Sequence, residues 1–336
     1  MPAAIALPKV HICMNSARSN TSGLTQPKQP DFYSLKLEPG YLHPRYWLTW
    51  AGLGLFRLSA LFPLGVSRCI GATYGWLFFV LNHKRRRIAR ANLGMCFPDL
   101  NHRQRERLLR RHFVLTGQSY IDLGFLAWAS RSRLERKISI VGLENLRLQL
   151  RHGKNVILLA PHCVGINFGT VIAKEHDQFS MFKPPRNNLL SWLLNKGRMR
   201  FGCRLLMRNQ GMRPVVRALQ QGMIFYYIPD EDFGPGRSVF APFFGVQTAT
   251  LATLGRLTDL TDAAVLPFFA SLLPAGRGYQ VTLGAALEDF PTGDRNKDAT
   301  RMNQVLEKGI GEMPAQYMWT LKLFKTRPDN GHSPYS

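Results

Sequence analysis

Three patterns of hydrophobic and polar positions follow one another along the chain. Residues 1 to 42 are polar and mixed, rich in Ser, Asn, Pro and Lys, and carry no periodicity that predicts an element. They read as a flexible N-terminal tail, without the charged, apolar and small-residue regions of a signal peptide. Residues 43–82 are apolar. YWLTWAGLGLFRLSALFPL, residues 46–64, has the length of a bilayer span but contains Arg57, and residues 64–81 form a second apolar run around Arg68. A central Arg costs about 3 kcal/mol in lipid, so neither run is a clean transmembrane segment. Together they predict one membrane-anchoring helix and one interfacial helix, with Tyr46, Trp47 and Trp50 as an aromatic belt at one end. A pair of buried core helices is the competing reading.

From residue 83 to 336 the pattern predicts a single α/β domain. It begins with a basic stretch, residues 83–113, which only Asp99 and Glu106 oppose. From Ile138 onward short apolar, β-branched runs alternate with helical periodicity. ISIVG, VILLA, MIFYYIP, AVLPFFASLL and YQVTLGAAL read as strands, while ENLRLQLRH, RPVVRALQQ and residues 298–312 read as helices. Gly153 and Gly222 stand where the first two helices should close. No repeat of 20–50 residues is present, and the alternation reads as one α/β domain.

The most informative stretch is VILLAPHCVGINFGT, residues 156–170. Pro161 cannot donate to a sheet ladder and should end the strand. His162 then sits at a strand's C-terminal end, where open α/β sheets gather ligands. Asn167 follows five positions on, at an expected helix start, with room for the two side chains to face each other. A His held by a polar partner there suits general-base work on a hydroxyl; a buried His that satisfies only backbone groups is the bland alternative.

A net charge of +23 asks for an anionic partner: nucleic acid, anionic lipid or an acidic protein. Lys and Arg directly after an apolar segment favour cytoplasmic headgroups. No helix-turn-helix, finger or ribonucleoprotein motif is visible, so no nucleic acid is expected. The five cysteines form no CxxC pair and suit a reducing compartment. Cys163 beside His162 is disfavoured as a nucleophile, because adjacent residues in a turn point apart. Two further clusters stand out. Asp230, Glu231 and Asp232 follow another strand, where acids hold either a metal or Arg side chains. Lys183, Arg186, Arg198 and Arg200 form the other, a phosphate site or simply a solvated basic face.

The runs HPRYWLTWAGLGLFRL, RRRIARANLGMCFPDL, LLAPHCVGINFG, GRMRFG, YYIPDEDFGPGRSVFAPFFGVQTATL and PAQYMWTLKLFKTRP, spread over residues 43–328, together resemble the lipid A biosynthesis lauroyl/myristoyl acyltransferases of Gram-negative bacteria. The resemblance implies an αβα sandwich like that of the glycerol-phosphate acyltransferases, with an N-terminal membrane-anchoring helix. It implies an enzyme of the cell inner membrane, its catalytic domain facing the cytoplasm, in lipopolysaccharide biosynthesis. The reaction implied moves a fatty acyl group from acyl carrier protein, the co-substrate, to a hydroxyl of an anionic, Kdo-bearing lipid A precursor, with no cofactor or metal. In the implied His-x4-acid motif, His162 matches the base and Asn167 the acid that orients it. Asn brings no charge, so three outcomes stay open: Asp230, Asp232 or Glu175 compensates; a slow enzyme rests on His162; or the chain binds lipid or carrier protein without chemistry. An acyltransferase for another lipid acceptor is a further option. Arg186, Arg198 and Arg200 are expected to hold substrate phosphates or the carrier's phosphopantetheine. Asp230 and Asp232, matching a D-x-D motif, should shape the site or hold those Arg side chains, and Arg327 remains from the substrate-binding motifs. Leu321, Lys322 and Leu323 replace a more basic run. FFGVQTATL, residues 243–251, either lines the acyl groove or packs in the core.

Overall fold

The computed structural model describes residues 30–328 and 331–335, so residues 1–29 of the expected tail lie outside it. Residues 30–42 are not free chain. The Tyr33 N–H donates to the Leu205 carbonyl (2.8 Å), and the Phe32 and Tyr33 rings meet Phe179 and Phe182 edge-on.

The two apolar runs form α1 (Trp47–Ser59) and α2 (Leu64–Leu81), parted by a turn that ends at Pro63. The basic stretch forms α3 (His83–Cys96) and the first half of α4 (His102–Trp128), which opens on a capping box between Asn101 and Gln104. Among the described residues α2 is the one helix long and apolar enough to cross a membrane, judged by length and composition. One face of it is nonetheless packed on α4. Gly71 and Gly75 meet the backbone at Gly117 and Gln118, an approach that any Cβ would block. Arg68 lies inside this contact, 4% exposed. Its Nε donates to Asp122 Oδ2 (3.0 Å), and its terminal nitrogens donate to the Leu273 and Gly278 carbonyls. The Arg that interrupts the apolar pattern is thus satisfied by protein, not exposed to lipid.

After the short α5 (Arg131–Glu135) comes β1 (Ile138–Val141), followed by α6 (Leu143–Arg151), β2 (Asn155–Leu159), β3 (Gln178–Phe182) and α7 (Asn188–Arg198). Then come β4 (Arg204–Met207), α8 (Arg213–Gln220), β5 (Ile224–Tyr227) and a hairpin of β6 (Ser238–Phe243) and β7 (Val246–Leu251). The chain continues through α9 (Leu254–Thr261), β8 (Ala263–Leu273), β9 (Gly278–Leu283) and α10 (Arg295–Glu312). Seven strands form one sheet in the order β1-β9-β8-β2-β5-β3-β4, parallel at every pairing except β8 with β9.

Side chains alternate across the sheet and fill two cores. Ile157, Leu159, Phe225 and Tyr227 face α8, α9 and α10. Val156, Leu158, Ile224 and Tyr226 face α6 and the end of α4. Burial on both faces explains why β2 and β5 read as unbroken apolar runs. The class is therefore mixed α/β with helices on both faces of a mostly parallel sheet. One predicted helix differs: the segment after Gly165 forms nine residues of 3-10 turns, Ile166–Lys174, where Gly169 presses on Tyr226 and Phe268.

Candidate functional site

β2 and β5 are neighbouring parallel strands with Leu159 opposite Tyr227. Each leaves the sheet through an X-Pro turn, Ala160-Pro161 and Ile228-Pro229. The register therefore carries His162 and Asp230, each three residues past its paired strand residue, to the same place. The two are joined twice. The His162 backbone N–H donates to Asp230 Oδ2 (2.8 Å), and the ring Nδ1–H donates to Asp230 Oδ1 (2.6 Å). The His162 carbonyl in turn accepts from the Met318 N–H (2.9 Å), so the turn is fixed on both sides. The Asp230 side chain is only 5% exposed, the His162 ring 23%.

Burial works against an imidazolium here, but the charge and hydrogen bond of Asp230, with Glu231 behind them, outweigh it and raise the His162 pKa above its ordinary value. Burial likewise works against the Asp230 carboxylate, yet His162 holds its pKa below the ordinary value. This is a fixed tautomer with a charged orienter: Nδ1 is committed, and Nε2 is the nitrogen that can take a proton. Nε2 faces Glu231 Oε1 at 3.4 Å, and the other oxygen of Glu231 accepts from Arg208 (2.8 Å).

A cavity of about 580 Å³ opens beside His162. Its walls are largely apolar, including Ile166, Met181, Phe182, Leu205, Met212 and Phe225. Lys183, Arg198, Arg208 and Arg237 supply its cations. His162 in the lining, apolar walls and several cations fit an amphiphile that carries an acyl chain and phosphate.

The remaining sequence candidates fall in different places. Asn167 lines the cavity, but its Oδ1 accepts from Arg198 Nε (2.8 Å) and not from His162. His162 bonds Asp230, across the sheet, one of the three acids that sequence reading offers as compensating for Asn167. Arg198 keeps its place in the wall, with burial lowering its pKa from the ordinary value. Arg200 does not reach the cavity: it donates to the carbonyls of Leu126 and Ala129 and caps the end of α4. Arg186 is exposed ahead of α7 and outside the cavity lining.

Asp232 bonds elsewhere than at His162. It accepts from the Thr326 N–H (2.6 Å) and hydroxyl (2.8 Å), so it ties down the C-terminal segment next to Arg327. Arg327 lies outside the cavity lining, and its Nη1 is buried with no hydrogen-bond partner among the described residues. Glu175 pairs with Arg147 (3.1 Å). Cys163 points into the core, donates to the Ala270 carbonyl, and has its thiol pushed up to about 12 by burial, which excludes a thiolate nucleophile. Of residues 243–251 only Leu251 lines the cavity, while Phe243 and Val246 belong to the core under α10. Arg208 and Arg237 are the cavity cations that pattern reading passed over. Arg208 was findable, because it directly follows β4 and the cavity collects strand ends.

The family model for bacterial lipid A biosynthesis acyltransferases matches residues 35–326. The lipid A biosynthesis lauroyltransferase of Escherichia coli is 32% identical over 302 residues, 89% of this chain and 98% of that protein. The palmitoleoyltransferase of the same organism is 33% identical over 306 residues, covering 90% and 99%. A lipid A biosynthesis acyltransferase of Haemophilus influenzae is 34% identical over 300 residues, covering 88% and 95%.

Proposed function

Since the chain belongs to the bacterial lipid A biosynthesis acyltransferases, we propose that it is a working acyltransferase in which the His162–Asp230 pair supplies the base. The acyl donor is a thioester on acyl carrier protein. The acceptor is a hydroxyl of an anionic, Kdo-bearing lipid A precursor in the cell inner membrane, reached from the cytoplasmic side. The fold is that of the glycerol-phosphate acyltransferases.

The chemistry follows from the committed ring. His162 Nε2 takes the proton of the acceptor hydroxyl as its oxygen attacks the thioester carbonyl carbon. Asp230 keeps Nδ1–H in place and stabilises the imidazolium that forms. The tetrahedral intermediate collapses, the C–S bond breaks, and the thiol of the carrier leaves with the proton from Nε2. No covalent enzyme intermediate is required. Glu231 stands in front of Nε2, so the acceptor hydroxyl must displace it. Lys183, Arg198, Arg208 and Arg237 are placed to hold phosphate, and the apolar walls to hold the acyl chain.

One observation carries this reading: a buried carboxylate bonded to both the backbone and ring nitrogens of a His that lines the cavity. The test is acyl transfer from acyl carrier protein to the Kdo-bearing precursor by membranes containing the chain or His162→Ala. Removing the base should cost about 10²- to 10⁴-fold in rate. Equal activity in the two would sink the proposal.

A further inference from the structure

Asp230, Glu231 and Asp232 are consecutive carboxylates with different partners. Asp230 holds the His162 backbone and Nδ1, while Asp232 accepts from the Gly234 N–H (2.9 Å) and from Thr326. These bonds pin the chain on both sides of Glu231. Of the three, Glu231 lines the cavity, and it makes two contacts there. Its Oε2 accepts from Arg208 (2.8 Å), and its Oε1 stands 3.4 Å from His162 Nε2. One carboxylate thus joins the nitrogen that must take a proton to a cation placed for phosphate.

The contact with His162 disables the base in two ways. Nδ1–H is committed to Asp230, so a neutral ring would face Glu231 Oε1 with a bare lone pair. Two acceptors at that distance repel, and a proton on Nε2 turns the repulsion into an ion pair. Glu231 in this position therefore keeps His162 as an imidazolium, which takes no further proton. It also fills the place from which a hydroxyl or a water would reach Nε2. The contact with Arg208 sets the condition for release. The Arg208 guanidinium lies 5.0 Å from the Phe233 ring centroid, and both side chains line the cavity. Its planar fork binds phosphate through two oxygens, and a phosphate monoester carries more charge than a carboxylate. A phosphate on Arg208 displaces Glu231 Oε2 and repels the Glu231 charge. At 33% exposure the Glu231 side chain has solvent to turn into while its backbone stays pinned.

We propose that Glu231 and Arg208 form a specificity latch: His162 is released as a base when a phosphate group of the acceptor binds Arg208, and is otherwise closed to water and to phosphate-free hydroxyls. The latch rests on reading His162 as the base and the acceptor as a phosphate-bearing lipid. It answers a problem that a bare His162–Asp230 pair leaves open. The donor is a thioester, and hydrolysis competes with transfer. Water attacks the thioester carbon, Nε2 takes its proton, the C–S bond breaks, and the thiol leaves with that proton, giving a free fatty acid. A base closed until the acceptor arrives suppresses that loss.

Hydrolysis is the readout, because it needs the base and no acceptor. The purified full chain in detergent is given the dodecanoyl thioester of N-acetylcysteamine, which carries no phosphate. Millimolar inorganic phosphate should raise hydrolysis by about fivefold or more, whereas chloride at equal ionic strength should not. Without phosphate, Glu231→Gln should hydrolyse about fivefold faster than the parent and respond no further, and Arg208→Ala should ignore phosphate. Adding His162→Ala to Glu231→Gln should abolish the gain. The pH profile of hydrolysis distinguishes the latch from a packing role. His162 faces Asp230 and Glu231, which favour its proton, and Arg208, which disfavours it, with Lys183, Arg198 and Arg237 in the same cavity. Glu231→Gln should therefore move the midpoint to lower pH. A parent whose hydrolysis ignores phosphate overturns the latch, as does a Glu231→Gln gain that survives the loss of His162, or an unmoved midpoint. Transfer to a detergent-dispersed Kdo-bearing precursor separates the latch from the reaction. A parent that transfers but ignores phosphate overturns the latch and spares the reaction. Phosphate-dependent hydrolysis without transfer supports the latch and overturns the acceptor.

Discussion

Asp230 reaches His162 through two hydrogen bonds, so its loss has two consequences with different signatures. Asp230→Asn keeps the shape but removes the charge, and the amide can donate where the carboxylate accepted. Activity should fall by about 10²- to 10⁴-fold. The base must be neutral to act, and its pKa is raised in the parent, so kcat/KM should rise with pH through a midpoint above the ordinary His value. Without the Asp230 charge, burial dominates and that midpoint should move to lower pH. A kcat/KM–pH profile shows both effects, and an unmoved midpoint would argue that Asp230 does not orient the base. Asn167→Asp tests the neighbouring contact. From sequence alone, restoring an acid there would be expected to repair the base. The geometry gives the opposite expectation, because Asn167 faces Arg198 and His162 already has its carboxylate. The new charge should neutralise Arg198, leave kcat without a gain, and raise KM for the anionic acceptor by about three- to tenfold. A large gain in kcat would return Asn167 to the orienting role. Sequence reading found His162 because strand ends are legible in the chain. It matched the partner's role to Asn167 because five-residue spacing is visible in a sequence, and it left Asp230 as one of three compensating acids because the β2–β5 register that brings it up is not visible.

At the scale of elements, the α2–α4 contact is the tightest joint between the N-terminal helices and the domain. A Cβ at Gly75 would strike the Phe113 carbonyl, and one at Gly117 would strike the backbone at Gly71 and Gly75. Gly75→Ala or Gly117→Ala should force the helices apart and cost about 1–3 kcal/mol. Gly94→Ala on α3 has open space around it and should stabilise by about 0.5–1 kcal/mol through helix propensity alone. Thermal or denaturant unfolding of the three variants measures the difference, and a destabilisation equal in all three would remove the close-packing account. This joint was hidden in the sequence, since Arg68 looks like a flaw in an apolar run until Asp122, 54 residues away, is placed beside it. Strands β2 and β5 were legible because unbroken apolar runs survive burial on both faces, and β8 and β9 because the buried positions Leu266, Phe268, Ala270, Tyr279, Val281 and Leu283 fall on every second residue. Strands β3 and β4 were not, because Gln178, Ser180 and Arg204 break the apolar pattern of QFSMF and RLLM, which join the sheet by pairing with neighbours.

Across the whole molecule, a net charge of +23 surrounds a site whose proposed donor is borne by an acidic protein. Such a field acts before contact. It raises the encounter rate with an anionic partner and fades with ionic strength, since the screening length falls from about 10 Å at 0.1 M salt to about 3 Å at 1 M. Of the cavity cations, Arg198 and Arg208 add a short-range part that salt screens less, because they are partly buried, whereas Lys183 and Arg237 are exposed. Long-range steering should therefore appear in kcat/KM for the carrier-borne thioester and scarcely in kcat. Raising salt from about 0.05 M to about 0.5 M should lower that kcat/KM by about tenfold or more. A short thioester without the carrier, offered to the same protein with the same detergent-dispersed acceptor, keeps any salt effect on the acceptor and loses only the carrier's contribution. The ratio of the two salt responses isolates the carrier. If the ratio is one, the basic surface does not serve the acyl donor, and its charge is left to the lipid acceptor and the membrane that holds it.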